Sequence, residues 1–548
     1  MVLLTELPPE IVQHVLGYVD PPDLAWIPRI CKSFYHTVKG NNSLFRVVYL
    51  NNFDNPPDKS SVNWERAVKD VVRLQVICNR DRVQDKKHEL PFVYDAVKSL
   101  LQNAATDTER TPRSTARPAS RNAALLSALF RSETNQSAFL CRSLIYELAR
   151  GEVRTSDPTL QPRPEHQKSA HLHCLYGVPL LYAKPEAAKQ QHRTRRGGGS
   201  KMSPWACAKV YDLRQYTENT KWGPFVDDDT DRVDWEKVEA IMLVIGSNLR
   251  KLGLTKFPVC RNFWETPFAG TWPGSAREQQ QQQQPELVAA EHFEQPQQSQ
   301  QSQQSQSQAQ AQKDLQDRDP YGITGTWLRV VCFLDYTDFF RYNFTAGGGG
   351  DGEGEPPAHV PRAPIDYGEA TRLILMKVRV TRIEPPGPDD GQALPVCHFE
   401  GISRSLDDSY DENANSDLRG MRGSVRLTRE GEVRWTTFSV FSGVERWRSE
   451  SVQIGGVRSA KGVLGNWFDK DFDPRGPAGP TAFWKVSDKV TESGGYRALM
   501  HDFLPMDQDE LGDEYEMGQS EDDEEGSDEE PGLELEITGI SLVTWTDD

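Results

Sequence analysis

Val425-Arg-Leu427-Thr-Arg429-Glu-Gly431-Glu-Val433-Arg-Trp435 reads as two short strands joined by a tight turn. Apolar and polar side chains alternate on either side of Arg429-Glu-Gly431-Glu, and period two is the spacing at which a strand presents one face. Glycine in the turn supplies the positive φ that a hairpin requires. Phe438 to Phe441, then Ser442-Gly443, then Val444 to Ile454 extend the hairpin into a meander. Upstream, Trp327 to Leu334 and Leu373 to Val380 are strand-like, and Leu533 to Val543 alternates again at the far end. That last strand must find a neighbour far back in the chain. Residues 257–548 are therefore expected to form an antiparallel β domain, a closed barrel or a sandwich.

Three segments interrupt this domain and cannot fill a core. They are a glutamine tract (279–312), a glycine-rich stretch (346–357) and an acidic run (507–530). The acidic run holds fourteen Asp and Glu and no Lys or Arg, so most of the net charge of −18 sits in it. The chain is thus a mildly acidic folded protein with an acidic insert, which makes nucleic acid an improbable main partner. The hydrophobic content of 37% across 548 residues fits folded parts separated by polar inserts.

Residues 51–256 read as mainly helical, with polar linkers at 104–121 and 151–170 and a basic, glycine-rich loop at 192–201. Leu44 to Leu50 and Trp64 to Cys78 have helical spacing, and Ala123 to Leu148 holds one or two helices. Asp234 to Leu252 carries Val238, Ile241, Ile245, Leu249 and Leu252 on one stripe. Trp205 to Tyr216 is read as including a strand.

The N-terminus, residues 1–50, is a run of very short apolar helices broken by prolines. Pro8 and Pro9 suit a first helical turn, and Glu10 lies at the positive end of the helix dipole. Ile11, Val15 and Val19 recur at i, i+4, i+8, with Val12 and Leu16 widening the stripe. Asp20-Pro21-Pro22-Asp23 caps and starts a second helix. Pro28 is expected to open a third, with Ile30, Phe34 and Val38 on one face and Gly40 at its end. A unit of about 40 residues buries too little surface to be stable alone. It needs neighbours, from this chain or from another.

Leu7-Pro8-x-Glu10-Ile11-Val12-x-x-Val15-Leu16-x-Tyr18-Val19-x-Pro21-x-Asp23-Leu24, followed by Cys31-Lys32-Ser33-Phe34, resembles the F-box. The resemblance implies docking on the Skp-type adaptor, and through it on the cullin scaffold, of SCF ubiquitin ligases. It implies Leu7, Pro8, Ile11, Leu16, Pro21 and Leu24 as adaptor contacts. Two departures are Trp26-Ile27-Pro28, where the family continues with small or apolar helical residues, and the doubled Pro21-Pro22. Gly431 to Trp435, Glu445 to Ser449, Gly455 to Gly462, Asn466 to Asp469 and Gly479 to Lys485 resemble the C-terminal part of large F-box proteins of filamentous fungi. They are distantly similar to animal F-box proteins that carry a β-barrel substrate reader. Gly325-Thr326-Trp327 resembles the Gly-x-Trp of lipocalin-like barrels, and Gly270-Thr-Trp272 is similar.

Catalytic motifs are not found. Asp469-Lys-Asp471-Phe-Asp473 starts like an EF-hand, but Pro474 and Pro480 occupy the positions that need glycine and glutamate. His171-Leu-His173-Cys174 lacks a second ligand cluster for zinc and is read as a polar loop. Cys397 and His398 adjoin, yet neighbours on a strand point to opposite faces. The eight cysteines are scattered without a C-x-x-C pair, which points to reduced thiols in cytoplasm or nucleus. No run of about eighteen apolar residues suggests a membrane span. Neither a metal nor a cofactor is implied.

Two functional expectations follow. One is a non-catalytic substrate-recognition subunit of an SCF-type ligase. In it Trp435, Arg446, Trp447, Arg458, Trp467 and Trp484 are candidates for contacting the protein substrate, because Trp and Arg are enriched at binding hot spots. Arg434 and Arg448 join these arginines as partners for acidic segments. The other is an F-box-tethered lipocalin-like carrier or sensor of a small molecule. The barrel interior, hollow or packed, distinguishes them.

Overall fold

The structure is a computed structural model that describes residues 7–106, 119–155, 163–183, 200–255, 264–276, 310–345, 358–406 and 419–488, apart from 442. The acidic run, the glycine-rich stretch, residues 192–199 of the basic loop and the expected terminal strand (533–543) lie outside these residues. Of the glutamine tract only 310–312 are described, and they begin a helix that runs to 318.

The N-terminal region forms α1 (Pro9–Leu16), α2 (Pro21–Leu24), α3 (Lys32–Val38) and α4 (Asn42–Asn52). Pro9 stands in the first turn of α1, and Gly40 (φ +68°) follows α3. The third helix does not begin at Pro28. Ile27–Arg29 is a single 3-10 turn, and Cys31 (φ −157°, ψ 166°) breaks the chain before α3. Ile30 consequently leaves the face of Phe34 and Val38 and is exposed, while those two are buried. Asp20 makes no side-chain cap bond to α2, whereas the Asn41 carboxamide oxygen caps α4 by accepting from Leu44 N at 3.0 Å.

Trp64–Cys78 and Leu90–Gln102 continue the helical layer. Two expectations are corrected beyond it. Ser203–Val210 is a helix, opened by Pro204 in its first turn, where a strand was expected within Trp205 to Tyr216. His171 to Cys174 lie in the buried half of a helix, Pro164–Tyr176, that ends at Gly177 (φ +70°). Buried histidines hid that helix, because polar residues mask an apolar period. Trp235–Thr255 is the central helix, with Val238, Ile241 and Ile245 wholly buried.

Eight strands form the C-terminal domain. They are β1 (Gly325–Leu334), β2 (Glu369–Glu384), β3 (Val396–Ser405), β4 (Arg419–Leu427), β5 (Val433–Phe441), β6 (Val444–Gln453), β7 (Val463–Asp469) and β8 (Ala478–Ser487). Each pairs antiparallel with its neighbour, and β8 closes on β1 with Phe483 opposite Arg329. The sheet is a closed up-and-down barrel. Closure therefore needs no contribution from 533–543. In the quoted hairpin Val425 pairs with Trp435, and Gly431 sits in the turn at φ +85°.

One wall of the barrel is buried on both faces. Leu328, Val330, Cys332, Leu334, Leu373, Leu375, Leu464 and Trp484 point outward into a core shared with the helices. Strands covered on both sides read as continuous apolar runs, which is why β1 and β8 alternate so poorly. Residues 264–276 bridge the two layers. Phe268 packs edge-on against Phe130 and Tyr176, and Gly274 N donates to Val457 O at 2.9 Å.

Candidate functional site

In α1 the stripe splits. Val12 and Leu16 turn inward, whereas Ile11 and Val15, one position earlier in each turn, are 49% and 41% exposed. Tyr18, Trp26, Ile30 and Tyr35 are also exposed, at 71%, 62%, 67% and 40%. Six large apolar side chains within 25 residues thus face outward on a unit too small to hide them. Its inner residues are held by α4, where Asn51 Nδ2 donates to Gly17 O at 2.8 Å and Val47 leans on Gly17. Residues 4–46 match the F-box domain.

No curated protein and no solved structure matches the chain. The F-box match covers the N-terminal helices alone, and the geometry sorts its candidate contacts. Leu16, Pro21 and Leu24 are buried inside this chain, Leu7 is half-buried, and Pro8 and Ile11 are exposed. Leu16 and Leu24 serve the intramolecular core, since the α1 stripe is wider than one buried face and its inner edge goes to α4.

The barrel separates the residues proposed for substrate contact. Trp435 is in the interior core, its Nε1 donating to Gln453 Oε1 at 3.1 Å, with Trp327 and Phe483 at 5.1 and 5.4 Å between ring centroids. Trp484 points outward and is buried against the helices. Arg458, at φ +55°, donates from Nη2 to Asp319 O at 2.9 Å and braces a loop. Trp435 and Trp484 are therefore core, because β5 and β8 turn them toward packed layers. Arg446, Trp447 and Trp467 do come together. The two indoles meet edge to face at 5.3 Å, and the exposed Arg446 guanidinium lies 5.4 Å from the Trp447 ring.

The other arginines are already paired. Glu450 accepts from Arg434 at 2.9 Å and from Arg448 at 2.5 Å, and Arg434 also reaches Asp231 at 2.6 Å. Burial pushes the Glu450 carboxyl up, but the two guanidiniums outweigh it and hold it below the usual range. This cluster fastens the 216–233 loop to the barrel and leaves little charge for a substrate.

His173 Nδ1 lies 2.7 Å from Glu239 Oε1, both fully buried, and His171 stacks on Trp235 at 3.4 Å. Burial drives His171 well below the ordinary histidine range. Among the described residues no group of three His, Cys, Asp or Glu is placed to hold a metal ion. Cys397 is inside the barrel, while His398 faces out and pairs with Glu384 at 2.6 Å. Among the described residues no helix is long and apolar enough to cross a membrane.

A cavity of about 430 Å³ lies between the helical layer and residues 358–362, lined by Trp205, Lys209, Asp212 and Lys237. Two of its acids are paired, Asp234 with Lys209 at 3.3 Å and Asp212 with Arg214 at 2.6 Å. Lys237 donates to the Lys209 and Val210 carbonyls. Burial, then the neighbouring Lys209, pull its ammonium down to about 7.

The barrel interior is divided. Its lower half is packed with Trp327, Phe399, Trp435 and Phe483 and closed by Tyr321 and Ile323. Its upper half carries Arg329, Thr437, Ser449, Ser451 and Thr481 at inward-facing positions, none of which the sequence reading singled out. The available signal was Arg329, a charge amid Trp327-Leu-Arg-Val-Val331.

Proposed function

We propose that this chain is a substrate-recognition subunit of an SCF-type ubiquitin ligase. The F-box docks on a Skp-type adaptor and so on the cullin scaffold, and the β-barrel faces the protein to be ubiquitinated, in cytoplasm or nucleus. The observation that carries the reading is the exposed apolar set on the F-box, which a partner surface would cover. On this geometry the adaptor contacts are Pro8, Ile11, Val15, Tyr18, Trp26 and Ile30, with Leu16, Pro21 and Leu24 shaping the unit from within. Catalysis in such a complex is proximity, supplied by a rigid body that holds a substrate lysine near a charged conjugating enzyme. The shared core of helices and barrel suits that role.

The experiment is co-purification with a Skp-type adaptor. Ile11→Asp with Ile30→Asp should abolish capture and leave the melting temperature unchanged, because both side chains already contact water. Leu16→Ala should instead lower stability by about 3 kcal/mol, as a buried leucine does. Capture by the double aspartate variant at wild-type level would overturn the reading.

A further inference from the structure

Among the described residues, Arg329 is the one strongly buried guanidinium in the barrel lumen, 6% exposed. On β1 it sits opposite Phe483 of β8 and Ile374 of β2, both on the inward face. Its sole hydrogen bond among the described residues runs from Nε to Thr481 Oγ1 at 2.9 Å, and it makes no ion pair there. The Thr481 hydroxyl itself donates to the Val330 carbonyl at 2.9 Å. Among the described residues, its two terminal nitrogens, the fork that matches a carboxylate, meet no protein acceptor. A buried cation is costly unless an anion or acceptors compensate it. Burial accordingly pulls the guanidinium down to about 10.

A second polar group lies in the inward row of Thr481, the residue that Arg329 reaches. Thr481 pairs with Gly465, and Gly465 with Ser451, whose buried hydroxyl has no hydrogen-bond partner among the described residues. Gly465 leaves room for that hydroxyl, since a methyl there would collide with it. Thr437 and Ser449 bond to each other instead. Within this layer Val331 and Ile374, and beyond it Trp447 and Trp467, face inward and are only half-buried, so the lumen opens toward the Leu334 end of β1. Arg372 stands at that mouth, 5.5 Å from the Phe333 ring, adding a second positive charge at the entrance.

We propose that the upper lumen binds a small molecule with a carboxylate on an apolar body, the carboxylate received by Arg329 and Ser451 and the body by Val331, Ile374, Trp447 and Trp467. One fork and one hydroxyl satisfy a carboxylate, whereas a phosphate dianion would find too few donors. An eight-stranded barrel has space for one small ligand above a packed floor. The inference rests on the barrel alone and stands whether or not the F-box docks.

Calorimetric titration of the full-length protein with octanoate and 3-phenylpropionate, each against its primary amide, tests it. At least one acid should bind at least tenfold tighter than its amide. Arg329→Met should erase that preference while circular dichroism stays unchanged. The acid–amide comparison on the wild-type protein decides the matter even if the variant misfolds. Equal binding of acid and amide, no binding of either acid, or an unchanged preference in Arg329→Met overturns the proposal. So does binding confined to an acidic peptide of equal charge.

Discussion

Lys237 shows how one residue ties the central helix to solution conditions. It is buried, donates to two carbonyls, lies over the Tyr216 ring at 4.6 Å and deprotonates at about 7. An unfolded lysine keeps its proton to about 10.4. Below pH 7 both states are charged and the folded one bears the full burial penalty. Between pH 7 and 10 the unfolded state binds more protons, so the penalty fades and stability rises. The melting temperature of the wild type should therefore rise relative to Lys237→Met across that window, and a constant gap would refute the assignment. Such a residue is invisible to pattern reading, since its helix position was legible and its burial beside Lys209 was not. The same holds for Trp435 and Trp484, whose side of the strand depends on which layer covers each face.

At the scale of elements, the turns were the most legible features. Gly431 (φ +85°) has no heavy atom within 4 Å of where a Cβ would stand. Gly431→Ala is thus expected to cost only the left-handed backbone penalty, about 1 kcal/mol. Gly465 has an ordinary φ, but its Cβ would strike the Glu450 carbonyl and Ser451. Gly465→Ala should cost about 3 kcal/mol, as overpacking does, and urea midpoints of the two variants would test the order. The first of these glycines is announced by a hairpin pattern. The second is fixed by contacts between β6 and β7, so no local signal marks it. The Ile27–Arg29 turn makes the complementary point, because Pro28 allowed either a helix start or a tight turn and the burial of Phe34 and Val38 chose the latter.

Across the whole molecule, the outward faces of β1, β2, β7 and β8 share one apolar core with the helices, reaching back to Val12 and Leu16. Separating the layers would expose Leu328, Val330 and Leu464 together. Far-ultraviolet circular dichroism and tryptophan fluorescence should accordingly report coincident denaturation midpoints, as in a cooperative transition. Two resolved midpoints would show that the barrel folds apart from the helices. The amino-acid order determined the F-box helices, the hairpins and the antiparallel class, because periodicity and glycine placement act within a few residues. Only the tertiary structure decided which half of the α1 stripe stays open, that β8 rather than a later strand closes the barrel, and that Arg329 is buried with no acid beside it among the described residues. Those outcomes depend on groups distant in the chain meeting at one place, where burial and charge are set by neighbours that no local pattern names.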